Sequence, residues 1–163
     1  MQRWFPEKLE HFRIVTVLDV LREALESGRL RVDPSRHPQL TTYHDPCNYG
    51  RKGLRAFGQA YFEEGRWIMR QCAPHCVEMS SDRERSYCCG AGGGSWAMPY
   101  REERVFHGRF KAQQIKATGA RLVVTPCHNC RDQLRNSLCK EFDLDVEVKD
   151  LCELVAEALL WPA

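Results

Sequence analysis

Apolar residues recur along the chain with two different periods, and the alternation between those periods predicts the architecture. Residues 12–17 read as a short strand, followed by a helix that carries Leu18, Leu21 and Leu25 on one face and stops near Gly28. After a polar, proline-bearing connection at 29–38, the β-branched and aromatic run 40–43 predicts a strand entering a dense set of turn residues at 44–50. Beyond Lys52, Leu54, Phe57, Tyr61 and Ile68 keep a helical face, although Gly58 and Gly65 argue against one unbroken helix, and Pro74 ends it. A buried strand is expected at 76–79, then a glycine-rich loop at 88–94. A charged helix spans 101–118, with Phe106 and Phe110 as an i, i+4 pair and Gly119 at the stop position. Residues 121–125 make the clearest strand, and the helix after it lines up Leu134, Leu138 and Phe142. A last strand at 146–148 precedes a helix opened by Asp150, with Glu153 three residues on as a capping box and Leu151, Leu154, Val155 and Ala158 turned inward.

This alternation predicts an α/β fold, a mostly parallel sheet with helices on both faces, because parallel strands require crossover connections. In such sheets the sites lie beyond the carboxyl ends of the strands, so the loops after 43, 79 and 125 are the expected ligand loops.

Composition narrows the function. A chain of 163 residues with 43% hydrophobic content suits a single domain with its own core. Its 24 basic and 22 acidic residues leave a net charge of +2 and are interspersed, so nucleic acid is not an expected partner. The aliphatic stretches are too short or too interrupted to span a bilayer, and residues 1–6 lack the apolar core of a secretory signal. Cytoplasmic function is the default. Nine cysteines in a reducing compartment exceed what packing requires, and their odd number disfavours a closed disulfide framework.

Five of them form the pattern C-x40-CC-x37-CxxC: Cys47, Cys88, Cys89, Cys127 and Cys130. Zinc fits poorly, since a structural zinc site closes with four ligands from separated knuckles, and here one CxxC faces an adjacent pair plus a fifth thiol. Neighbouring Cα atoms lie about 3.8 Å apart, so adjacent thiolates serve neighbouring irons of a multinuclear centre more naturally. Cys72, Cys76, Cys139 and Cys152 fall outside the pattern and are expected in the core, as are Trp96 and Tyr100. The glycine run is no dinucleotide fingerprint, because Ser95 stands where the third glycine belongs. A thioredoxin-like reading of the CxxC leaves three thiols unexplained, and there is no CxxCH for covalent haem.

His-Asp-Pro-Cys at 44–47, Cys-Cys-Gly at 88–90 and Pro-Cys-x-x-Cys at 126–130 resemble the CCG, or cysteine-rich, domain of heterodisulfide reductase-like proteins, over nearly the whole chain. The runs 44–51 and 91–96 look most like the catalytic subunit of the sulfite-reductase-associated transmembrane complex of sulfur-metabolising microbes. The resemblance implies that Cys47, Cys88, Cys89, Cys127 and Cys130 hold a noncubane [4Fe-4S] cluster that reduces a disulfide or trisulfide. It also implies partners: other subunits of a membrane-bound electron-transfer complex, with a small cysteine-bearing sulfur-carrier protein as substrate. Five thiolates around a +2 core would leave roughly −3, which needs compensating positive potential. Gly90, Gly92, Gly93 and Gly94 can turn backbone N–H groups inward as a nest, and Arg51 and Lys52 follow the first ligand. His44 and His128 are candidate proton donors to a departing thiolate.

The chain carries one copy of a motif that relatives often carry twice and lacks the closely spaced cysteines of cubane clusters, so it reads as a fragment or one half of a paired module. Two alternatives stay open: an electron-transfer subunit of a glycolate, glycerol-phosphate or lactate dehydrogenase, and a non-enzymatic zinc or assembly module.

Overall fold

The computed structural model describes residues 5–161, so most of the 1–6 segment read above for a secretory signal lies outside the described residues. Four strands, β1 (Thr41–Tyr43), β2 (Cys76–Val77), β3 (Leu122–Thr125) and β4 (Glu147–Asp150), form one parallel sheet in the order β2-β1-β3-β4. Thr41 of β1 stands opposite both Cys76 and Leu122, while Thr125 of β3 pairs with Asp150 of β4. Every residue of β3 is buried, as a central strand covered on both faces requires.

Alternation along β3 separates two cores. Leu122 and Val124 pack with helices α2 (Val17–Glu26), α4 (Glu64–Cys72) and α8 (Leu151–Ala158) on one face. On the other, Val123 and Val148 meet α5 (Arg101–Thr118) and the helix that starts with α6 (His128–Gln133), widens into a π segment at Leu134–Leu138 and closes with α7 (Cys139–Glu141). The expected α/β architecture with helices on both faces is thus present. A short turn, α1 (Pro6–Leu9), precedes these elements.

Helix starts follow local chemistry. Thr16 and Asp19 exchange a capping box before α2, and Asp150 and Glu153 do the same before α8, each cap being worth about 1 kcal/mol. The doubtful long helix after Lys52 divides into α3 (Arg51–Phe57) and α4, because Gly58 takes φ +69° as a left-handed cap.

Three expectations are corrected. Residues 12–16 are irregular and pair with no strand, Phe12 and Ile14 are exposed, and the Thr16 cap commits the backbone to the helix. Phe57 is 85% exposed rather than on the buried face, since the helix ends there, and the strand expected at 76–79 is only Cys76–Val77. The charged helix at 101–118 is present as α5, its Phe106 and Phe110 pair facing outward and its buried stripe running through Val105, Gly108, Lys111, Ala112 and Ile115. Gly108 makes the close approach, since a Cβ there would lie 2.7 Å from the Cys89 carbonyl oxygen.

Candidate metal centre

The sheet delivers three corners to one end. β1 runs through His44-Asp45-Pro46 to Cys47, and the neighbouring β3 runs through Pro126 to Cys127, the N-cap of α6. The loop after β2 returns by a short 3-10 turn at Arg83–Arg85 to bring in Cys88 and Cys89. The five cysteines predicted as ligands are gathered there. Cys89 and Cys130 place their Sγ atoms 3.2 Å apart, and Cys47 shares a hydrogen bond with Cys88, as Cys127 does with Cys130. A cavity of about 200 Å³ opens among Cys47, Cys89, Cys127 and Cys130, with Lys52 and the Gly92–Gly94 backbone on its lip.

As free thiols the five compete for protons. Hydrogen bonds from Cys47 and Cys89, with the Gly90 N–H at 3.3 Å, drive ionisation onto Cys88, whose thiol is held far below its ordinary value. Donation from Cys130, helped by the backbone N–H groups of Cys130 and Asn129 at the start of α6, lowers Cys127 to about 6. Cys47 and Cys130 are pushed up as the donors in these pairs and by burial. Neighbouring sulfurs so close cannot all ionise unless cationic metal lies between them. Five sulfurs from three corners exceed the four that a closed zinc site takes, so the donor set fits a polynuclear thiolate-held centre.

The other site candidates divide. Lys52 borders the cavity, while the Arg51 guanidinium donates instead to the Ser86 carbonyl and ties α3 to the Cys88 loop. Gly93 and Gly94 adopt positive φ at the lip, and a Cβ on Gly92 would sit 4.0 Å from Cys47 Sγ. Gly90 serves a close approach: with φ +93°, an added Cβ would lie 2.1 Å from the Arg104 carbonyl oxygen of α5. His44 is 1% exposed, with both ring nitrogens unpartnered, and lies within 4.8 Å of the Cys89 and Cys130 sulfurs. Burial, with the Lys111 ammonium nearby, holds its imidazole well below the ordinary value and therefore neutral. His128 points elsewhere; it is 69% exposed and 3.1 Å from Asp132. Trp96 packs against the cysteine cluster beneath the Arg104 guanidinium, whereas Tyr100 and Cys152 are exposed rather than in the core. Cys72 is buried as expected.

Replacing Gly90 with valine should therefore cost about 1–3 kcal/mol from backbone strain alone, with further loss from the clash, and should reduce metal loading. Thermal unfolding together with bound iron per chain checks this; unchanged values for both would show that the loop moves freely away from α5.

Sequence reasoning missed two supports. Arg66, fully buried in α4, clamps the corner before Cys47 through Asp45, with Nη1 to Oδ1 at 2.6 Å and Nη2 to Oδ2 at 2.8 Å. Glu78 takes its Nε at 2.9 Å, and the Tyr43 ring lies 4.9 Å from the guanidinium. Burial would lower this guanidinium, but the Asp45 and Glu78 hydrogen bonds more than offset it. The second is Lys111, buried in the middle of α5. A lone Arg or Lys within a charged helix carries no sequence signal of burial.

Residues 41–135 match the cysteine-rich (CCG) domain family. The Hdr-like menaquinol oxidoreductase iron-sulfur subunit 2 of Archaeoglobus fulgidus is 29% identical, over 91% of this chain and 27% of that protein. A dihydromethanophenazine:CoB--CoM heterodisulfide reductase subunit of Methanosarcina mazei is 33% identical, over 91% of this chain and 34% of its own length. A probable membrane-anchored ferredoxin of Chromohalobacter salexigens is also 33% identical, over 85% of this chain and 20% of that protein. The chain thus spans about a third or less of each of these curated relatives. Because the family match takes in more than half of the chain and all five clustered cysteines, the chain belongs to the cysteine-rich, or CCG, domain family, with heterodisulfide reductase-like iron–sulfur subunits among its relatives.

Proposed function

We propose that Cys47, Cys88, Cys89, Cys127 and Cys130 hold a noncubane [4Fe-4S] cluster and that the domain is the sulfur-reducing unit of an electron-transfer complex. The observation that carries this reading is the convergence of five thiols, two of them adjacent in sequence, four of which line a cavity open to solvent. Bound there, the cluster would supply electrons to a substrate sulfur. Cleavage of R–S–S–R′ consumes two electrons and two protons and releases two thiols. The chain's own part is to present the opening: Lys52 attracts an anionic substrate or thiolate, and the small Gly92–Gly94 backbone leaves room for a sulfur to approach. Other subunits would deliver electrons, at the cytoplasmic face of a membrane. Among the described residues no helix is long and apolar enough to cross a membrane. A small cysteine-bearing carrier protein suits the substrate role, and the chain suits one half of a paired module.

A second reading, electron transfer without substrate contact, is favoured by one observation. His44 is sealed from solvent and His128 is paired with Asp132, so neither predicted proton donor stands at the opening. One relative's name, a probable membrane-anchored ferredoxin, accords with that alternative. Spectroscopy on the anaerobically purified chain, with and without an oxidised thiol or trisulfide, separates the two. The reductase reading expects a changed cluster spectrum on adding substrate; iron present but blind to every such compound supports the electron-transfer reading.

A further inference from the structure

The Lys111 side chain is 0% exposed, and its ammonium has only two hydrogen-bond partners, the Ser86 hydroxyl at 3.1 Å and the Met79 sulfur at 3.4 Å. No carboxylate among the described residues lies within ion-pair distance of it. Asp45, the carboxylate that acts on it from nearby, is already committed to Arg66 by two hydrogen bonds and to the Arg83 N–H by a third. Buried charges are ordinarily paired, because leaving one alone in a low-dielectric interior is costly. One turn before Lys111, α5 presses so closely on the cysteine loop that a Cβ on Gly108 would lie 2.7 Å from the Cys89 carbonyl oxygen, and the Cys89 and Cys130 sulfurs act on Lys111 from nearby, while the His44 ring, within 4.8 Å of those sulfurs, has no hydrogen-bond partner at either nitrogen. The wall behind the cysteines thus holds a lysine without a carboxylate partner and an imidazole without any hydrogen-bond partner.

We propose that Lys111 is the buried counter-cation of the iron–sulfur cluster and raises its reduction potential. This rests on the cluster reading above and adds to it the charge that makes the site tenable. A positive charge behind the sulfurs stabilises the more negative, reduced state, and burial keeps solvent and salt from screening it. Ser86 orients the ammonium, its carbonyl in turn taking the Arg51 guanidinium.

Reductive titration of the anaerobically reconstituted 163-residue chain, followed by cluster spectroscopy, tests this in Lys111→Met, Lys111→Gln and Ser86→Ala, with thermal unfolding of the metal-free forms beside it. Removing the charge is expected to shift the midpoint potential downward while the metal-free protein melts at the same or a higher temperature, a combination that a lysine needed only for packing does not give. Ser86→Ala should stay near the wild-type potential. A folded Lys111→Met that loads no iron also supports the proposal, because an anionic cluster then lacks its counter-charge. An unchanged potential at full iron content in either lysine variant overturns it, as does a lower melting temperature of both metal-free lysine variants. If the wild-type chain itself takes up no iron, the cluster reading fails instead.

Discussion

Replacing Arg66 by methionine is expected to lower the unfolding free energy of the metal-free chain by about 3–5 kcal/mol, the range for breaking a buried ion pair by removing one partner. Methionine fills much of the space but leaves the buried Asp45 carboxylate with only the Arg83 N–H and leaves Glu78 facing the vacated pocket. It also removes the cation that stacks on Tyr43, and β1 and the corner to Cys47 depend on both contacts. Iron content should fall together with stability, because the first ligand loses its anchor. Urea unfolding measures the first effect and metal analysis the second. A loss below about 1 kcal/mol, the level of an exposed pair, would mean that Asp45 is not held as described. Adding Asp45→Leu to Arg66→Met should recover part of the stability, since the stranded charge disappears.

Cys89→Ser should leave a folded chain without its cluster. The Cys89 sulfur is buried and touches Cys130 across the space between two loops, so a harder, less polarizable oxygen there removes a thiolate from the centre of the donor set. Loss of a mere outer partner costs metal sites about 10–100-fold in affinity, and loss of a central ligand should cost at least that much. Cys152→Ser is the control: exposed and outside the five-cysteine pattern, it should keep full iron content. Equal iron in the two variants would contradict the assignment of Cys89.

The corners that carry Cys47 and Cys127 were legible in the sequence because each follows a strand with a strong local signature, whereas Cys88 and Cys89 were legible from the Cys-Cys-Gly motif alone. The run 122–125 is apolar and β-branched, the turn residues 44–50 stop β1, and Pro126 with the CxxC starts a helix. Gly58 and Gly119 marked helix ends correctly, both taking left-handed φ. Hydrophobicity without tertiary context misled at residues 12–16, where apolar side chains face solvent and no strand waits to pair with them. On α5 the two phenylalanines lie outside while glycine and alanine face inward. Gly108 faces in because a Cβ there would come within 2.7 Å of both the Cys89 carbonyl oxygen and Leu138. What composition hid most completely was charge inside the molecule. Arg66 and Lys111 look like solvent-facing residues of helices rich in charge, and their burial is explained by groups far off in sequence.

That explanation stands or falls on the chemistry between the sulfurs, and counting iron and acid-labile sulfide per chain after anaerobic purification reaches it directly. Five thiolates from three corners around one inorganic core predict about four irons and about four sulfides per chain. Stoichiometric zinc with no labile sulfide would contradict it.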